Sequence, residues 1–132
     1  MTVATCAVAL GWAAQPARAA APAVQIELTA PDRLTEGDRA RVVAEVTLPE
    51  GNDRPVLLTP SSEGTAIEVV RGRLLRADAE DPDARPLRFR IPIVARGPGT
   101  AVLRVEVLGH HCDRRCRPLR AESQLVLRVH RN

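Results

Sequence analysis

The sequence predicts an all-β chain folded as one antiparallel sandwich. Three observations carry that prediction. Apolar residues recur at every second position in several separate stretches. Clusters of Gly, Pro, Asn and Asp divide those stretches at a spacing of roughly 8–12 residues. No segment sustains the 3.6-residue period of a helix. A length of 132 residues suits a single domain.

The strands are read in order. Val24 to Ala30 alternates, with Val24, Ile26 and Leu28 on one face and Gln25, Glu27 and Thr29 on the other, as a half-buried strand should. Pro31-Asp32 ends it. Leu34 to Asp38 reads as a turn in which Gly37 takes positive φ. Arg39 to Leu48 is a long strand. Its content of Ala, Arg and Glu suits a helix, but the alternation and the Val42-Val43 pair favour extended backbone.

Pro49 to Pro55 (PEGNDRP) is turn chemistry. Val56 to Thr59 is a short strand and Pro60 to Gly64 a loop. Thr65 to Val70 and Arg73 to Ala77 are two short strands about Gly72, either a tight hairpin or one bulged strand. Asp78 to Pro86 (DAEDPDARP) is an acidic surface loop; it lacks the ligand spacing and central Gly of an EF-hand.

Leu87 to Ala95 sets Leu87, Phe89, Ile91 and Ile93 against Arg88, Arg90, Pro92 and Val94. Pro92 has no N–H to give a ladder, which predicts an edge strand or a bulge. Arg96 to Gly99 turns the chain. Thr100 to Leu108 and Leu119 to His130 alternate again and frame Gly109 to Pro118, read as a loop. This makes seven to eight strands in one immunoglobulin-like β-sandwich. The mature chain differs from antibody domains: it has no Trp, no Tyr and no widely separated cysteine pair.

The N-terminus reads as a secretory signal over residues 1–19, leaving the sandwich over 20–132. Thr2 to Ala14 is apolar but too short to span a bilayer. Ala17-Arg18-Ala19 offers small residues before a cut at Ala20, although no basic residue precedes the apolar run. Cys6 lies inside this segment and is given no role. The expectation is therefore an exported protein of the periplasm or cell surface, with no transmembrane segment in the mature chain.

Composition narrows the function. Apolar residues make up 45% and charged residues 27%, enough for a packed core. The 19 basic residues, all Arg, are interspersed with 16 acidic ones. Phe89 is the only Phe, Tyr or Trp outside the N-terminal segment. A single-strand nucleic-acid groove needs clustered basic residues and stacking aromatics, so no nucleic-acid partner is expected. Ser61, Ser62 and Ser123 have no nucleophile-elbow context, and no phosphate-cradling glycine loop is present. Asp81 and Asp83 read as solvated acids. No cofactor is expected.

The remaining chemistry lies in Gly109 to Pro118, GHHCDRRCRP. An even cysteine pair in an exported chain implies an oxidising compartment, so Cys112 and Cys116 are expected to form a disulfide. Three uses of the pair stand open. The first is a structural staple. The second is thiol–disulfide exchange, since Arg114, Arg115, Arg117 and Arg120 against Asp113 would stabilise a thiolate. The third is a metal site of His110, His111, Cys112 and Cys116, because thiolate and imidazole suit zinc or copper. Adjacent histidines on an extended chain point to opposite faces, which weighs against the third.

Gly109, Cys112, Cys116 and Pro118 give a strand ending in Gly-x-x-Cys and a closing strand opening on Cys-x-Pro. This resembles the N-terminal periplasmic domain of the thiol:disulfide interchange reductases. The resemblance implies an immunoglobulin-like sandwich with an exchangeable disulfide at Cys112 and Cys116. Read from the residues, the leading function is a non-enzymatic binding or assembly module with a protein partner. Thiol exchange is the alternative, and a metal-binding loop the second alternative.

Overall fold

A computed structural model describes residues 23–49 and 54–132. The expected signal segment, and residues 50–53 of the PEGNDRP turn, lie outside the described residues.

Two sheets pack face to face, antiparallel throughout except where Leu34–Thr35 pairs with Val129–His130 in parallel. One carries β1 (Gln25–Thr29), β3 (Arg39–Thr47), β7 (Leu87–Ala95) and β5 (Ile67–Val69), in the order β1-β3-β7-β5. The other carries β2 (Leu34–Thr35), β9 (Cys116–His130), β8 (Gly99–Cys112), β4 (Leu57–Glu63) and β6 (Leu74–Leu75), in the order β2-β9-β8-β4-β6. The sheet of β1, β3, β7 and β5 matches strands A, B, E and D of an immunoglobulin sandwich, and β9, β8 and β4 match G, F and C.

The alternation in the sequence becomes the core. Val42, Ala44 and Val46 of β3 lie beside Phe89, Ile91 and Ile93 of β7 on one sheet, and Leu103, Val105 and Val107 of β8 supply the inner face of the other, all almost wholly buried. Val24, Ile26 and Leu28 are half-buried against the same cluster, as expected of a strand on the sandwich's flank. Burial of these side chains drives the collapse, at roughly 1.5–3 kcal/mol for each large one.

Five local expectations are corrected. Leu34–Thr35 is not all turn: it forms β2, parallel to Val129–His130 at the end of β9. Gly37 does hold φ +92°. Thr65–Val70 and Arg73–Ala77 form neither a hairpin nor one bulged strand. β5 pairs with β7 and β6 with β4, so the chain crosses from one sheet to the other between them. Arg76–Asp78 then makes a single 3₁₀ turn.

The other corrections concern Pro60, Pro92 and the cysteine loop. The Glu36 N–H donates to the His130 carbonyl at 2.8 Å, so the even residues of β9 turn their backbone groups away from β8. Following the unbroken registers across the sheet, Pro60 turns its nitrogen away from β8. On that side β6 pairs only with Leu57 and Leu58, so Pro60 continues β4 instead of opening a loop.

Pro92 likewise does not mark an edge, because β7 lies between β3 and β5. Its carbonyl accepts from the Val70 N–H at 3.0 Å, and β5 stops at Val69 because Pro92 has no N–H to return. Finally, Gly109 to Pro118 is not a ten-residue loop. The β8–β9 ladder runs without a bulge from Gly99↔Val129 to Cys112↔Cys116, which leaves Asp113, Arg114 and Arg115 as the turn.

Candidate functional site

β4 accompanies β8 only as far as the Leu57↔Leu108 pair. Gly109 is still buried, and a Cβ built on it would lie 3.7 Å from Leu48 Cδ2. Beyond it, residues 110–118 form a two-stranded tip that projects past the neighbouring strand. An isolated two-stranded ribbon is marginal in water. Here it is closed covalently: Cys112 and Cys116 are cross-strand partners with Cα atoms 4.0 Å apart, joined by a disulfide.

Asp113 organises the turn. Its Oδ1 accepts from the backbone N–H of Arg115 at 3.1 Å and from that of Arg114, the Asx geometry that favours Asp in turns. These two N–H groups, Arg115's first, hold the Asp113 carboxyl below its ordinary value of 3.8, and the Arg117 and His111 charges add to the effect. With Asp113 committed to the backbone, Arg114, Arg115 and Arg117 extend from an exposed cationic tip. Cys116 is exposed and Cys112 half-buried.

The four residues expected as a metal set are distributed differently. His110 lies opposite Pro118, and His111 opposite Arg117, so the two imidazoles leave opposite faces of the ribbon. Both sulfurs are held in the disulfide. Among the described residues, no group of three or more His, Cys, Asp and Glu side chains is placed to hold a metal ion.

Below the tip, ion pairs knit the outer face of this sheet. Arg104 reaches Glu63 of β4 at 2.8 Å and Glu122 of β9 at 3.0 Å. The Glu122 contact is close enough for an ion pair but off the line of a hydrogen bond from Nε. Arg120 meets Glu106 at 3.1 Å. All are substantially exposed, so each contributes little, about 0–1 kcal/mol.

A feature that sequence reasoning missed is the free side of β9. β2 pairs with it only at Val129 and His130, and no described backbone group bonds its outer side from Arg120 to Arg128. Val126, 66% exposed, stands in that stretch. The available signal was the absence of proline between Pro118 and the end of the strand.

The fold and tip together define an immunoglobulin-like sandwich with a stapled, projecting final hairpin. Among solved structures, the chain is similar to native alpha-2-macroglobulin from Escherichia coli, crystallised from domain MG7 to the C-terminus: TM-score 0.56, 20% identity, 84% of this chain and 17% of that one. It is also similar to a cohesin module from a Clostridium perfringens family 33 glycoside hydrolase: TM-score 0.53, 12% identity, 85% of this chain and 100% of that one. The chain thus spans less than a fifth of the macroglobulin it resembles and the whole length of the cohesin module. At these identities the likeness establishes the fold. No family model and no curated protein matches the chain, and the comparisons lend no support to the resemblance with thiol:disulfide interchange reductases. Among the described residues, no helix is long and apolar enough to cross a membrane.

Proposed function

We propose that this chain is an exported, non-enzymatic binding or assembly module that presents the stapled β8–β9 tip to a protein partner. The observation that carries this reading is the projection itself: a covalently closed ribbon with Arg114, Arg115 and Arg117 exposed at its turn. Ordering such a tip before binding reduces the entropy lost on association. The signal-like N-terminus supports export to a compartment where the disulfide persists. The likeness to a cohesin module supports, as an analogy of fold, a role in assembly.

The test is capture by cross-linking from the cell envelope with the wild-type chain and with Arg114→Ser/Arg115→Ser/Arg117→Ser. A partner retained by the first and lost by the second, with unchanged unfolding, is the expected result. Equal capture by both chains overturns the role of the tip.

One observation favours thiol exchange as a second reading: Cys116 is exposed beside Arg115 and Arg117, which would stabilise a leaving thiolate. The reduction potential separates the two. A staple lies below about −300 mV, whereas an exchanging disulfide is markedly more oxidising.

A further inference from the structure

Away from the final hairpin, one face carries charge that the fold does not balance. Arg39 and Arg41 open β3 on its outward side, opposite Val94 and Pro92 of β7. β1 stops at Thr29, opposite Val43, so no strand flanks the two arginines on that side. On the other side Pro92 has no N–H to give, β5 stops at Val69, and the chain leaves for β6 in the second sheet. The result is a cleft of 330 Å³ whose walls include Arg39, Arg41, Val70, Pro92 and Val94. Val70 is 59% exposed.

The carboxylates nearby are already engaged. Glu68 meets Arg96, Glu80 meets Arg88 and Arg90, and Asp78 meets Arg71. Glu45 lies 4.0 Å from Arg88, and the Asp38 carboxylate accepts from the Thr35 N–H. A second cleft of 300 Å³ adjoins the first and shares Arg41 and Pro92. Its other arginines, Arg71 and Arg90, are those held by Asp78 and Glu80. Arg39 and Arg41 are exposed, and neither has an ion-pair partner among the described residues.

We infer that this cleft receives an extended acidic segment of a partner protein, with carboxylates at alternate positions. Arg39 and Arg41 stand two residues apart on one strand face, about 6.6 Å. Carboxylates at positions i and i+2 of an extended chain repeat at the same distance. Each guanidinium can hold a carboxylate through two parallel N–H···O bonds. A segment laid along the cleft also covers Val70 and withdraws it from water. A nucleic acid would offer anions too, but Phe89, the only described Phe, Tyr or Trp, is buried and leaves no ring on which bases stack. The surface is separate from the tip. It lies on the other sheet and toward the His130 end of β9, where the Glu36 N–H bonds the His130 carbonyl. It stands whether or not the tip binds a partner.

The spacing supplies the test. Nitrogen-15-labelled full chain is titrated with the synthetic peptide Ac-Ser-Glu-Ser-Glu-Ser-NH2, and amide shifts are followed by NMR. The shifts should concentrate at Arg39, Arg41, Val70 and Val94. The peptide Ac-Ser-Glu-Glu-Ser-Ser-NH2 has equal charge, but its adjacent side chains leave opposite faces of an extended chain. It should bind about two- to fivefold more weakly, as expected for one lost exposed pair. Arg39→Ser/Arg41→Ser should weaken the first peptide about fivefold or more, whereas Arg114→Ser/Arg115→Ser/Arg117→Ser should leave its binding unchanged. Circular dichroism and urea unfolding of each variant separate lost binding from lost folding, and the comparison of the two peptides needs only the wild type. Equal binding of the two peptides, shifts centred on the tip, or no shifts at all overturns the proposal. Self-association of the wild type that Arg39→Ser/Arg41→Ser abolishes also overturns it, by giving the cleft to a second copy.

Discussion

Removing the disulfide with Cys112→Ala/Cys116→Ala should loosen the tip far more than the sandwich. Closing a ring of sequence separation 4 takes roughly 6–7 cal/mol/K from the unfolded chain, about 2 kcal/mol at 25 °C. That figure is a ceiling on the global loss, because residues 110–118 lie beyond the last β4 pair at Leu57↔Leu108. Without the bond, the ribbon can fray to Gly109 while the core stays closed, and a frayed native tip no longer differs in entropy from an unfolded one. Local opening of this kind is set by local contacts. Urea unfolding should therefore shift by about 1–2 kcal/mol or less with an unchanged m-value. Amide exchange should accelerate over residues 110–118 and stay slow at Leu103 and Val105, buried at the centre of β8. A loss above roughly 3 kcal/mol, or faster exchange at Leu103, would refute the argument by showing that the tip supports the core.

Three further outcomes are expected. Leu103→Ala, at a fully buried position, should cost about 2–5 kcal/mol in urea unfolding, whereas Val126→Ala should stay within roughly 0.5 kcal/mol. Gly64→Ala should cost about 1–2 kcal/mol, because Gly64 holds φ +96° and an added Cβ would sit 3.3 Å from the Thr100 carbonyl; a neutral result would refute that backbone. Asp113 has its folded pKa lowered from 3.8, chiefly by the Arg115 N–H, so its contribution to the turn is present above the ordinary value and lost as pH falls through the lowered one. The Arg114 and Arg115 amide signals should titrate with a midpoint below 3.8, and Asp113→Asn should abolish that transition.

The sandwich was legible where a strand has one wet and one dry face. In β3, β7 and β8 the alternating residues are those that become the buried cluster. β2 and β6 are two residues long, too short to show any period, so their pairing was hidden. Pro60 and Pro92 misled for a different reason. Whether a strand tolerates proline depends on which neighbour its nitrogen faces and where that neighbour ends, and neither is written near the proline itself. The tip was hidden by its own position. Beyond Gly109 neither face of the ribbon is dry, so the polar run His110 to Arg117 reads as a loop although its ladder continues. The cysteine pair was visible in the sequence; that it joins opposed strand positions was not.

The candidate sites share one structural origin, the mismatch between the final hairpin and its neighbours. β8 and β9 are 14 and 15 residues long, whereas β4 has 7 and β2 only 2. A hairpin longer than the strands beside it must overhang at its turn and remain open along its outer side. The overhang has no core to hold it, and there the chain places its disulfide. The open side has no described backbone partner from Arg120 to Arg128, and there β9 carries the exposed Val126. Inward-facing residues of the same hairpin, Leu103, Val105 and Leu127, belong to the core. Core packing and exposed surface are thus divided by side-chain direction along one pair of strands, so the outer face and tip can change while the core is kept.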